Sequence, residues 1–329
     1  MTNHETALGG RVGVVLPRTL PPHLIVPFAQ RAEALGFDEL WVVEDLGFKG
    51  GIAQAATVLA VTSRIHVGVG ILPAAVRNAA FAAMEIATLA QLHPGRTTVG
   101  IGHGMPEWLR SVGAWPASPL TLLAEYAGAV RTLLRGEPGP ERGRYVDVEG
   151  LVLHELPDVV PPVILGVRGP KSLALAGKHA DGIILAEPAM PGYVAASAAI
   201  ARPPAGSRGA APLVVGYDLA AVNEDRRVAL DALRPALAVL REPDWRPHLA
   251  QAGFADELHT LVSEIADPDE FVRALPEEWV SELTLAGTPD EVRRKIADRH
   301  AAGSTSVVMF LTTADPLAEL DELALALGD

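Results

Sequence analysis

Along the first half of the chain, short runs of β-branched residues alternate with stretches in which apolar residues recur every three or four positions. This is the pattern of strands followed by amphipathic helices. Residues 11–16 (RVGVVL) predict a first strand, and residues 24–35 keep helical spacing until Gly36 stops them. Residues 39–43 predict a second strand, 52–61 a helix, and 65–71 (IHVGVGI) a third strand. Residues 79–92 predict a helix closed by His93, Pro94 and Gly95, with a fourth strand at 97–101. Residues 119–134 predict another helix; residues 136–161, rich in Gly, Pro and charge, read as a surface excursion. Strands five to eight follow at 163–166, 182–185, 213–220 and 305–311 (TSVVMFL).

This rhythm predicts an α/β fold with a parallel sheet and helices outside it. A barrel and an open sheet both satisfy the pattern, but eight strands suggest closure into a (β/α)₈ TIM barrel. Residues 224–300 are too long for one crossover and mostly helical, so they predict a helical insertion between strands seven and eight. Within it, Gly287, Thr288, Pro289, Asp290 and Glu291 resemble a helix cap with an early proline. The organisation expected is a short flexible leader, residues 1–10, and a single domain over residues 11–329. Residues 202–212 are the most disordered-looking loop.

Composition narrows the chemistry. With 329 residues, 49% of them hydrophobic, the chain can bury a large core. It has no Cys, which removes disulfides, thiolate metal sites and a Cys nucleophile, and fits a reducing cytoplasm. The leader lacks an apolar stretch long enough for an export signal, and no run approaches the roughly 18 apolar residues of a membrane span. The 27 Lys and Arg against 40 Asp and Glu give a net charge of −13, which speaks against nucleic acid or anionic lipid as a partner. A polyanionic small molecule would need a local basic patch. Neither H-E-x-x-H nor G-x-S-x-G occurs, so metal and serine hydrolases lack support.

In such a barrel the chemistry sits just past the strand ends. After strand two stand Glu44 and Asp45, adjacent acids that repulsion or burial could tune for acid/base work, or that are only solvated loop charges. After strand four come Gly102, His103, Gly104 and Met105; His103 is a candidate proton donor or a loop cap. Gly100, Gly102 and Gly104 lack the last glycine of G-x-G-x-x-G and make a weak dinucleotide fingerprint. After strand five, Val167, Arg168, Gly169, Pro170 and Lys171 lead into a helix. They form either a phosphate cradle with two cations or a plain helix start. His66, inside strand three, reads as a core or interface residue.

The order of short motifs resembles the luciferase-like flavin- and deazaflavin-dependent oxidoreductases, especially the F420-dependent branch that includes methylene-tetrahydromethanopterin reductase. The resemblance runs nearly end to end. It is carried by AEALGFD (residues 32–38) leading into LWV, TSRI (62–65) into GVGILP (68–73), TL to PGR (88–96), GIGHG (100–104), GPKS (169–172), ADG (180–182) and AGTPDEV (286–292). It implies a TIM barrel with an insertion, a homodimer, and a cofactor across the barrel mouth, F420 or alternatively FMN. It implies a cis peptide at Gly70–Ile71 in a bulge of strand three, behind the isoalloxazine-like ring. Gly102 to Met105 and Val167 to Lys171 would contact the ribityl and phosphate portions. This chain departs from the pattern in two places. Asp45 stands where many relatives carry His, and Met105 where some carry an acid. Proton transfer is left to Asp45, His103 or Glu107, with Glu44 beside them, or the chemistry differs. The implied activity is hydride transfer between F420 and a small organic substrate. The alternatives are an FMN-dependent monooxygenase, or a non-catalytic or redox-neutral cofactor-binding relative. Trp108, Trp115 and Phe48 are candidates for an apolar substrate pocket.

Overall fold

The computed structural model describes residues 8–203, 211–313 and 315–328. Most of the expected leader and the centre of the 202–212 loop lie outside these residues. Leu8, within the leader, is buried in the core.

Nine strands are present among the described residues: β1 (Arg11–Val15), β2 (Glu39–Val42), β3 (His66–Pro73), β4 (Thr97–Gly102), β5 (Val163–Gly166), β6 (Gly182–Leu185), β7 (Leu213–Val222), β8 (Leu285–Gly287) and β9 (Ser306–Phe310). Neighbours pair in parallel from β1 through β7. β9 then lies between β7 and β1, which closes the barrel. Eight strands therefore form the barrel as expected, the last being β9.

The short β8 was not expected. It pairs with the end of β7, Ala220 with Leu285 and Val222 with Gly287. β7 runs two residues beyond its predicted end and offers an open edge there. A three-residue strand is too short to show a period of two. The rest of the insertion is helical as predicted, with helices at Arg226–Leu233, Ala255–Glu264, Pro268–Ala274 and Glu277–Leu283. Thr288 then caps the helix Pro289–Ala301 through a reciprocal capping box with Glu291, with proline in the first turn.

Side chains alternate along each strand. One set packs under the helices, and the other fills the barrel with Val15, Trp41, Ile164, Ile184, Val215, Tyr217 and Val308. The N-terminal end of the barrel is plugged by buried Glu39. It accepts bonds from Trp41 Nε1 (2.8 Å), Ser306 Oγ (2.5 Å) and Arg11 Nη1 (3.1 Å). Gly68 makes room for the Trp41 indole, since a Cβ there would lie 2.1 Å from Trp41 Cδ2. The insertion carries a core of its own, with Leu230, Leu233, Leu237, Phe271 and Leu283, and it reaches Met190, Ala221 and Ala286 beside the barrel.

Candidate active site

The mouth at the C-terminal strand ends has a glycine floor. β3 shifts register against β4 between Val69 and Leu72, and the Gly70–Ile71 peptide in this bulge is cis, as the resemblance implied. The Ile71 side chain lies over glycines of the next two strands. A Cβ added at Gly166 would come within 2.7 Å of Ile71 Cγ2, and one at Gly102 within 3.0 Å of Ile71 Cδ1. Gly70 in turn lies against Tyr217, whose Oη would be 2.0 Å from an added Cβ. The Tyr217 ring meets Trp41 and Phe310 edge-on at 5.8 and 5.3 Å. Its hydroxyl is buried without a hydrogen-bond partner, and that burial pushes its pKa well up.

The two acids after β2 have different environments. Glu44 accepts from Arg77 at 3.0 and 3.2 Å and from the Gly51 N–H at 2.7 Å, which ties it to the start of the helix Gly51–Val61. Asp45 pairs with Arg18 at 2.8 Å. Arg18 also lies over the Phe48 ring, and Lys49 donates to its carbonyl at 3.1 Å. His103 is half-buried at the end of β4, and burial lowers its pKa, favouring the neutral imidazole. Gly104 adopts φ 71°, a left-handed conformation open to glycine, and Met105 precedes the helix Pro106–Ser111. Glu107 in that helix is exposed.

After β5, Val167 is buried and Gly169 precedes the helix Pro170–His179. No side chain caps this helix, and its first turn holds no acid. Among the described residues, neither Arg168 nor Lys171 forms an ion pair. Lys171 is exposed, whereas the Arg168 guanidinium lies over the Trp245 ring, 4.2 Å from its centroid.

Beyond β6 the chain passes through a cis Glu187–Pro188 peptide. The turn is held from behind, where the Ala189 N–H donates to Asp218 Oδ1 at 3.1 Å. Asp218 is fixed by Arg299 at 2.6 and 3.0 Å, and both side chains are almost wholly buried. The Glu187 carboxyl is pushed upward by burial and by the charges of Asp218 and Asp45, against the pull of Arg168. His248, from the insertion, is buried and stacks on Tyr193 at 4.5 Å. Burial, then Arg168, holds its pKa down to about 3.

A family model described as luciferase-like monooxygenase matches residues 6–306 of this chain. The chain belongs to that family. Among its relatives, the 5,10-methylenetetrahydromethanopterin reductase of Archaeoglobus fulgidus is 26% identical over 293 residues, 85% of this chain and 87% of the relative. The solved structure of a coenzyme F420 dependent tetrahydromethanopterin reductase from Methanopyrus kandleri superposes with a TM-score of 0.79 at 22% identity, covering 97% of this chain and 96% of the other. A type II Baeyer–Villiger monooxygenase from Pseudomonas putida, solved with FMN, gives a TM-score of 0.73 at 18% identity, with 97% of each chain covered. Both structures share the fold.

In this luciferase-like barrel, the residues singled out after strands two, four and five all fall on the rim at the C-terminal strand ends. Glu44 is committed to the Arg77 and Gly51 contacts, and Lys171 points to solvent. Sequence reasoning missed Glu187, Tyr217, Trp245 and His248. The strand-end rule, applied to strand six, would have found Glu187. Trp245 and His248 lie in the insertion, where no period or motif marks them.

Proposed function

We propose that this luciferase-like protein is an oxidoreductase that transfers a hydride between coenzyme F420 and a small organic substrate. One observation carries the reading. Four residues beyond Gly166 of the glycine floor, the uncapped helix Pro170–His179 begins between Arg168 and Lys171, two cations that form no ion pair among the described residues. In a chain of net charge −13, this is a place built for an anion. The reading of a flat ring at the mouth is supported by Gly102 and Gly166, which carry no side chain that would lift Ile71.

F420, when bound, supplies or accepts the hydride. The chain would do the rest. Gly70, Ile71, Gly102, His103, Gly104 and Met105 would line the ring and ribityl portion. Val167, Arg168, Gly169, Pro170 and Lys171 would hold the anionic end. Asp45 and His103 are read as the groups that move the proton, with Glu44 holding the loop that carries Asp45.

FMN is the second reading, because its phosphate suits the same cradle and a monooxygenase solved with FMN shares the fold. We also read residues 11–329 as one domain, since the insertion's core includes Met190 and Ala221 of the barrel. A homodimer is supported by Phe81, Met84 and Leu92, which are 63%, 50% and 67% exposed on the helix Ala79–Leu92. The absence of Cys supports the cytoplasm.

The test is a fluorescence titration of the purified protein with oxidised F420 and, separately, FMN at two salt concentrations. Preferential F420 binding that weakens with salt is expected. Preference for FMN would move the assignment to a monooxygenase, and binding of neither would overturn the cofactor assignment.

A further inference from the structure

The insertion reaches the loops after β5 and β6 through Trp245, with His248 stacked beside it. After the 3₁₀ helix Arg234–Arg241, the turn Pro243–Trp245 places Trp245 against two loops at once. Its ring lies 4.2 Å under the Arg168 guanidinium, and its Nε1–H donates to the Glu187 carbonyl at 2.8 Å. Tyr193 fixes the backbone of the same arginine, donating from its hydroxyl to the Arg168 carbonyl at 3.2 Å. Backbone and side chain of Arg168 are therefore both held.

Stacking engages the face of a guanidinium and leaves its N–H edge free. A guanidinium that must bind an anion as a two-toothed fork gains by being held in plane beforehand, because less side-chain freedom is lost on binding. Arg168 has this arrangement. It forms no ion pair among the described residues, although the Glu187 carboxyl is within its electrostatic reach, and an aromatic platform keeps it in place. Trp245 itself is buried, so the platform is fixed by the insertion's packing.

We infer that Trp245 is a positioning residue for the cofactor's anionic end: by stacking on Arg168 and bridging to the Glu187 carbonyl, it makes the insertion part of the anion subsite. This rests on the cofactor-binding reading given above. The subsite takes a phosphate-type anion, and Trp245 acts on it only through Arg168.

Affinities for F420 and for FMN should be measured at low and high salt for the wild type and for Trp245→Leu, Trp245→Phe, Arg168→Met and the double variant Trp245→Leu/Arg168→Met. Melting curves establish that each variant folds. Trp245→Leu should weaken binding by about tenfold, the scale of a lost cation–π contact in a partly desolvated site. It should also flatten the salt dependence. Trp245→Phe keeps a ring under the guanidinium and should recover most of the affinity. The double variant should bind no worse than Arg168→Met, because the two residues form one unit. Wild-type affinity in Trp245→Leu, or losses that add in the double variant, would overturn the inference while leaving the cofactor reading intact. A wild type that binds neither cofactor would overturn both.

Discussion

Arg77 grips Glu44 with two nitrogens, at 3.0 and 3.2 Å, and the same carboxylate accepts the Gly51 N–H at 2.7 Å. The loop after β2 is thereby fastened both to the loop after β3 and to a helix start. Removing the carboxylate would leave the Gly51 N–H without its acceptor and the Arg77 guanidinium with Glu85 alone, 3.1 Å from its Nε. Glu44→Ala should cost about 1–3 kcal/mol in urea unfolding, the scale of an unsatisfied buried donor. A loss below about 0.5 kcal/mol would mean that the pair behaves as an ordinary surface ion pair.

The glycine floor predicts a coupled effect. In Gly166→Ala the new methyl would meet Ile71 Cγ2 at 2.7 Å and push that side chain toward the mouth. The variant should lose about 1–3 kcal/mol of stability, as overpacked cores do, and bind cofactor more weakly. Adding Ile71→Ala should restore stability, since it deletes the clashing atom. Equal melting temperatures for the single and double variants would refute the contact.

Behind the β6 turn, Asp218 is unexposed and Arg299 is 3% exposed. Truncating one partner of such a pair strands a buried charge, so Asp218→Ala should destabilise by about 3–5 kcal/mol. It should also free the Ala189 N–H and loosen the turn that carries Glu187. Hydrogen exchange at Ala189 reads this directly, and unchanged protection there would contradict it.

Acid should weaken the fold through two histidines. Burial holds His66 at about 4 and, with Arg168, His248 at about 3. Both lie below the unfolded value of about 6.5, so the unfolded chain binds more protons than the folded one between these limits. Their contribution is fully present above pH about 6.5. It is lost on acidification through pH about 4 for His66 and about 3 for His248, by up to about 1.4 kcal/mol per pH unit each. Replacing His248 by Phe keeps a ring against Tyr193 and should reduce the loss of stability between pH 7 and 5. Parallel pH profiles for the variant and the wild type would show that His248 is not a source.

The apolar stripe on the helix Ala79–Leu92 should mediate self-association. Phe81→Glu combined with Met84→Glu should convert a dimer to a monomer in light scattering without altering the circular dichroism of the fold. A wild type that is monomeric at high concentration would remove the dimer proposal.

The alternation of apolar residues along the chain determined the eight barrel strands and the helices between them. The reason is that strand and helix periods are local properties, and each element buries one recurrent face. The cap at Thr288 and the glycine turn at Gly36 were legible for the same reason, since a few adjacent residues set them. The sequence also placed the rim residues Glu44, Asp45, His103 and Arg168, because a parallel barrel puts every strand end on one face. What each of them does was decided only by the tertiary structure. Asp45 found Arg18, Glu44 found Arg77, and Arg168 found Trp245 from 77 positions further along. Such pairings depend on how the loops and the insertion pack, and no local period records them. β8 shows the same limit: three residues became a strand because β7 offered them an edge.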